Sequence, residues 1–321
     1  MLRYAVHRVL LLVPMLLGIT AVSFAVIQLA PGDFLDEMRL NPVVSAETVE
    51  QMRREFGLDQ PPHVQYLRWL GQVVQGDFGY SFAYQVPVTW LLGSRWLNTI
   101  LLNVCAFAFA WAVAIPLGIH AAVRQYRWSD NLLTFVSLLG ISTPTFFTGL
   151  VGLYLAFRTG WLPIGGMTRV GFEELSLFGK VLDVAHHLIL PTLILGFAGV
   201  AGLMRQMRGN LLEVLRQDYV RTARAKGLPE RAVLYRHAVR NALNPLITLF
   251  GFQLGGLLSG SAILENVIGW PGIGQLVVEA LLKKDLYVVM ATLVVGSVTL
   301  VLGNLVADLL LAATDPRIRY D

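Results

Sequence analysis

The sequence predicts an all-α, polytopic membrane protein with six transmembrane helices, and three observations carry that prediction. The 321 residues are 55% hydrophobic and only 14% charged, against roughly 25% charged in soluble domains. Uncharged runs longer than 20 residues recur along the chain. About 20 apolar residues cross a hydrocarbon core of ~30 Å at a rise of ~1.5 Å per residue. The runs also lack the two-residue alternation of barrel strands, so helices are the elements that satisfy their backbone groups.

The spans read in order as residues 9–30, 97–123, 131–157, about 188–204, 244–264, and 286–307 continuing to 313. The first follows Arg3 and Arg8 and runs for 22 residues, longer than a signal-peptide core of roughly 7–15. Gln28 and Pro31 also break the small-residue cleavage pattern, so an uncleaved helix is expected. With the N-terminus in the cytoplasm, segments 1–8, 124–130, 205–243 and 308–321 carry 15 Lys and Arg against 7 acids. Segments 31–96, 158–187 and 265–285 carry 10 against 14. That is the positive-inside bias, and it puts both termini in the cytoplasm. The same placement explains the net charge of +4 without a nucleic-acid partner.

The domain organisation follows from the spans. Residues 1–30 form the first helix and 31–96 an external segment. Residues 97–313 form the transmembrane domain, with a cytoplasmic loop at 205–243, and 314–321 form a tail. The external segment opens at Pro31-Gly32-Asp33, a turn that ends a helix. Ser45 can cap a short helix that Gly57 closes, and residues 63–75 have the spacing of another amphipathic helix. So few apolar residues do not bury well alone, so this segment is expected to need a partner surface.

The loop at 205–243 is the most informative part. It holds nine basic residues. Helical spacing runs from Gly209 through Lys226, Gly227 supplies a left-handed cap, and Pro229 with Glu230 opens a new helix. Thr222, Ala223, Ala225 and Gly227 are small enough to seat a helix deeply in another protein's groove. Arg221, Arg224 and Lys226 would flank that groove and meet acidic partners. The competing reading is a solvated basic face that only sets topology.

Asp218-Tyr219-Val220-Arg221-Thr222-Ala223-Arg224-Ala225-Lys226-Gly227, followed by Asn241-Ala242-Leu243-Asn244-Pro245, resembles the "EAA" loop of bacterial ABC importer permeases. More narrowly, it is similar to the dipeptide, oligopeptide and nickel importer branch. The likeness extends along the chain through Gly57-Leu58-Asp59-Gln60-Pro61, Gly76-Asp77-Phe78-Gly79-Tyr80-Ser81, Gly160-Trp161-Leu162-Pro163, His187-Leu188-Ile189-Leu190-Pro191, Trp270-Pro271-Gly272-Ile273-Gly274 and Asp315-Pro316-Arg317. Arg221-Thr222-Ala223 stands where the general motif begins Glu-Ala-Ala, and Leu97 stands where a proline is common. The resemblance implies a type I importer permease fold in a bacterial inner membrane. It implies that residues 218–227 form the coupling helix that docks on a separate ATPase. It further implies a homologous second permease, ATP-binding cassette subunits, an extracytoplasmic solute-binding protein and membrane lipid as partners. ATP and Mg2+ belong to the ATPase, and this chain binds no cofactor. Dipeptides, longer peptides, glutathione and nickel chelates are all carried by permeases of this kind.

The chain's own chemistry is sparse. It has no Gly-x-x-x-x-Gly-Lys-Ser/Thr loop, so ATP hydrolysis is expected elsewhere. Its spans hold almost no ionisable groups, unlike those of proton- or sodium-coupled carriers. The six histidines lie outside spans or near their ends, which leaves Ser259 and Ser261 without a base for an intramembrane protease. His186 and His187 are only two ligands, and Cys105 is the single cysteine, so no metal site is expected. Gln253, Ser259, Ser261 and Glu265 are the candidate polar contacts along a pathway, with Glu265 either at an outer gate or reaching water. Gly251, Gly255, Gly256 and Gly260 would let helices approach closely, and Thr143-Pro144-Thr145 predicts a kink. A channel or carrier that works without partners is the alternative from another class.

Overall fold

The computed structural model describes residues 2–29, 45–55, 57–255 and 261–314. The chain divides into two compact units, one built from Met1–Thr99 and Pro271–Leu302, the other from Ile100–Trp270 and Gly303–Asp321. Pro31-Gly32-Asp33, Ser259, Gly256, Gly260 and Asp315-Pro316-Arg317 lie outside the described residues.

In the first unit, α1 (Leu2–Leu29), α2 (Ala46–Glu55) and α3 (Pro62–Val74) precede a two-residue hairpin of β1 (Tyr80–Ser81) and β2 (Val86–Pro87). The hairpin is antiparallel, pairing Tyr80 with Pro87 and Ser81 with Val86. Ser45 caps α2 as expected, its Oγ accepting from the Thr48 N–H at 3.1 Å. Gly57 closes that helix at φ +67°. The partner surface that the external segment needs is supplied by helices of the same unit. Trp69 is buried in a cluster with Phe24, Met290 and Val294, and Tyr66 hydrogen-bonds Thr20 on α1 at 2.9 Å.

Asp285 pins the hairpin to the last helix, α14 (Leu286–Thr314). Its carboxylate is fully buried. It accepts from Ser81 Oγ at 2.6 Å and from the Ala83 N–H at 3.1 Å. It also accepts from the Val288 N–H in the first turn of α14 at 3.4 Å. Asp285→Ala strands a buried hydroxyl and an amide, each costing about 1–3 kcal/mol, and removes a helix cap of about 1 kcal/mol. The expected result is a fall in the thermal unfolding midpoint of the detergent-solubilised protein. Wild-type stability would refute the assignment.

The second unit begins within α4 (Val88–Val123) and continues through α5 (Trp128–Ser142), α6 (Thr145–Thr159) and α7 (Leu177–Leu215). Next come α8 (Asp218–Ala225), α9 (Glu230–Ala232), a π-helical segment Val233–Val239, α10 (Arg240–Ala242), α11 (Asn244–Gly255) and α12 (Ala262–Ile268). In the first unit, α13 (Ile273–Leu282) precedes α14. Among the described residues, Val88–Val123, Leu177–Leu215 and Leu286–Val306 are each long and apolar enough to cross a membrane. The pair α5–α6 makes a fourth candidate if its bend is counted as one span.

The predictions for 131–157 and 188–204 differ from what is observed for reasons the backbone gives, and the expected span 244–264 is described only as α11 and the start of α12, on either side of residues 256–260. Residues 131–157 were expected as one kinked helix, and instead α5 and α6 meet at 106°. Pro144 has no N–H to continue the ladder and forces Thr143 out of helical geometry. Thr143 sits at ψ 123° and Pro144 at ψ 137°. The fourth span, expected to be short, is part of the 39-residue α7. Hydropathy stops at Lys180, His186 and Arg205, but the backbone has no reason to stop there. Ser176 caps the start by accepting from the Gly179 N–H, and the helix runs to Leu215.

Small residues set how closely α4 and α7 pack. A Cβ on Gly118 would lie 2.9 Å from the Met204 carbonyl oxygen, and one on Gly196 would lie 2.4 Å from the Phe109 ring. Gly165 is still tighter: at φ +86° its Cβ would lie 2.2 Å from the Ile268 carbonyl oxygen. That carbonyl accepts from the Gly166 N–H at 2.9 Å. Gly165→Ala therefore combines left-handed strain of about 1–2 kcal/mol with loss of a hydrogen bond worth about 1 kcal/mol. The loop should become cleavable by added protease under conditions where the wild type resists.

Candidate functional site

Helix α8 folds where the sequence expects it because Asp218 favours a helix start and Arg224 a helix end. Gly227 then takes φ +73° and turns the chain into Pro229. Only one edge of α8 is seated on the protein. Val220 and Ala223 are buried against Met207, Leu211, Val233, Ala238 and Leu246. Asp218, Tyr219, Arg221, Thr222, Arg224, Ala225, Lys226 and Gly227 are exposed.

Within this set the structure separates roles that the sequence merged. Ala223 faces the protein's own core, so it offers no surface to a partner groove. Arg224 is already engaged. It forks onto Glu230, with Nη2 donating at 2.7 Å and Nε at 3.1 Å. That pairing holds the Glu230 carboxyl below the usual carboxylate range and ties α8 to α9 across the Gly227 turn. Arg221 lies 3.5 Å from Asp218, with both side chains well exposed, so it contributes little to stability. Tyr219 accepts from Asn241 Nδ2 at 3.2 Å. Thr222, Ala225, Lys226 and the Arg221 guanidinium remain as the outward surface.

The pathway candidates fall into two places. Gln253 is exposed and accepts from Trp111 Nε1 at 3.1 Å, beside the edge-on rings of Phe107 and Phe250. Ser261 and Glu265 are fully buried, and Ser261 Oγ donates to Glu265 Oε1 at 2.7 Å. Asn103 on α4 completes the group, donating from Nδ2 to Ser261 Oγ at 3.0 Å. The expectation that Glu265 reaches water is therefore corrected, because one turn of α12 places it under Ser261 rather than at the surface. Asn103 was not singled out from the sequence. Its signal was a carboxamide in the middle of an apolar helix.

The histidine pair serves local structure. His186 Nε2 lies 3.1 Å from the Trp161 carbonyl oxygen and His187 Nδ1 lies 2.8 Å from that of Asp183. Among the described residues no group of three or more His, Cys, Asp or Glu is placed to hold a metal ion.

Comparison with known proteins matches this arrangement along its whole length. Residues 114–320 match the family described as binding-protein-dependent transport system inner membrane component. Residues 1–103 match the N-terminal segment of the corresponding membrane components. The chain is 43% identical over 319 residues to an oligopeptide transport system permease protein of Bacillus subtilis, covering 99% of each. It is 42% identical over 324 residues to a putative peptide permease protein of Brucella ovis, again covering 99% of each. It is 38% identical over 321 residues to a glutathione transport system permease protein of Salmonella paratyphi A, covering all of both. On this evidence the chain belongs to the family of inner membrane components of binding-protein-dependent transport systems.

Proposed function

We propose that this protein is one permease subunit of an ATP-driven importer for peptides or closely related small solutes. The observation that carries the reading is the α8 surface, a short helix whose buried side chains are Val220 and Ala223 and whose other side chains are exposed. A solvated topology signal needs no such construction, whereas a helix that must enter another protein's groove does. The names of the relatives supply the solute class, and glutathione is itself a peptide.

In this reading six helices cross the bacterial inner membrane with both termini in the cytoplasm. A homologous second permease completes the pathway. ATP-binding cassette subunits bind ATP and Mg2+ and hold α8, and a solute-binding protein delivers cargo from outside. Closure of the ATPase dimer displaces α8, α7 moves with it, and the polar group of Asn103, Ser261 and Glu265 opens toward the pathway by alternating access. Gln253 and Ser259 belong to the same route.

Affinity purification through this chain from its native membrane tests the reading. An ATPase subunit should accompany it in detergent, and the reconstituted assembly should take up labelled di- and tripeptides only with ATP inside the ATPase compartment. Uptake by the purified chain alone would establish a partner-independent carrier instead.

A further inference from the structure

Arg208 and Asp130 form a charge pair that neither the docking surface nor the polar group of Asn103, Ser261 and Glu265 uses. Asp130, in the first turn of α5, is 1% exposed, and Arg208 on α7 is 23% exposed. The guanidinium forks onto the carboxylate, with Nε donating to Oδ1 at 2.7 Å and Nη2 to Oδ2 at 2.8 Å. Oδ2 also accepts from the Tyr126 N–H at 2.9 Å, where Tyr126 takes a left-handed φ of +64°. A forked pair fixes orientation as well as distance. Removing one partner of a buried pair leaves the other charge stranded. This contact therefore resists sliding of α5 along α7.

Its position gives that rigidity a use. Met207 and Leu211, on either side of Arg208 along α7, belong to the core on which Val220 and Ala223 of α8 rest. The same two turns of α7 thus carry the docking helix and grip α5. Further along, a Cβ on Gly140 of α5 would lie 3.0 Å from Ala201 and 3.1 Å from Phe197 of α7, so the two helices stay closely packed toward Pro144. Beyond Pro144 the chain turns by 106° into α6.

We propose that the Asp130–Arg208 pair is the positioning contact that passes displacement of the docking helix to the bent α5–α6 pair. The proposal rests on the importer reading above. The role assigned to the pair is positioning, not contact with nucleotide or solute. Coupling between sites runs through packed elements and ion-pair contacts of this kind. The pair is the point where α7 is tied to α5 by charge as well as by packing.

The test uses the whole assembly purified through this chain and placed in lipid nanodiscs, in a Cys105→Ala background. A fluorophore attached through Tyr235→Cys, behind the docking helix, reports that end. Another attached through Phe157→Cys, 68% exposed on α6, reports the far end. In the otherwise unaltered protein, ATP with Mg2+ should shift both signals. In Asp130→Asn the Tyr235 signal should persist while the Phe157 amplitude falls on the order of fivefold or more, the lower range of coupling effects. Arg208→Lys keeps the charge but loses the fork, and it should give the same split, which decides the matter if Asp130→Asn does not fold. An unchanged Phe157 amplitude in both variants, or parallel loss of both signals in a folded variant, overturns the proposal. A Phe157 signal silent in the unaltered assembly overturns it as well. Absence of any co-purifying ATPase removes the importer reading itself and this proposal with it.

Discussion

Replacing Gly227 with Trp will uncouple transport from ATP hydrolysis while the permease remains folded. Gly227 holds φ +73°, a conformation that costs a residue with a side chain about 1–2 kcal/mol. The space around it is otherwise open, for a Cβ there would meet no atom within 4 Å. A Cβ at this position therefore meets nothing among the described residues, and a bulky side chain there is expected to project into whatever receives α8. The Arg224–Glu230 fork across the turn gives the loop a second hold on its shape. Gly227→Asn separates the two effects, because asparagine tolerates the left-handed region. The Asn variant should keep most peptide uptake. The Trp variant should lose at least about tenfold, equivalent to ~1.4 kcal/mol of docking or transition-state stabilisation. Uptake per ATP hydrolysed, measured in proteoliposomes beside a thermal melt, checks both. Full coupling in the Trp variant would move the docking surface elsewhere and bring back the reading of this loop as a solvated topology signal.

The legibility of helix α8 in the sequence has a local cause. A capping glycine, a helix-starting proline and an acid at a helix N-terminus act within one or two turns, and all three took the conformations their chemistry dictates. The roles of Ala223 and Arg224 depended on which edge of an eight-residue helix packs down. With Val220 as the one aliphatic residue larger than alanine there, that edge became visible only when Met207 and Leu211 were seen beneath it. Of the six expected spans, three helices, or four with the bent pair, are long and apolar enough to cross a membrane among the described residues, and apolar runs placed their ends poorly. Hydropathy measures the preference for lipid, whereas α7 ends where its backbone hydrogen bonds end. Pro144 announced a bend but not its size, because the angle is set by what α5 and α6 pack against on either side. Long-range pairs were the least legible. Asp285 with Ser81 and Asp130 with Arg208 are separated by 204 and 78 residues, and no spacing rule connects residues so far apart.

Glu265 gives the second large effect, and two substitutions there distinguish support of the fold from service in the pathway. Its carboxylate is fully buried and accepts from Ser261 Oγ, which in turn accepts from Asn103 Nδ2. Glu265→Ala removes the acceptor of the buried Ser261 O–H, so the protein should lose about 1–3 kcal/mol of stability. Glu265→Gln keeps an acceptor oxygen at the same reach and should leave the melting midpoint near wild type. The amide has no charge with which to meet the ammonium group of a peptide, and charge-assisted hydrogen bonds are roughly twice as strong as neutral ones. If the residue contacts solute when the pathway opens, Glu265→Gln folds normally, assembles with its ATPase and loses about tenfold or more in peptide uptake. Retention of wild-type uptake by the Gln variant, together with destabilisation of the Ala variant, assigns the group of Asn103, Ser261 and Glu265 to holding α12 against α4. The polar lining would then have to be sought nearer Gln253, whose carboxamide already faces the surface beside Trp111. A dry acid deep in an apolar protein is unfavourable unless fold or function requires it, and these two variants say which requirement keeps it there.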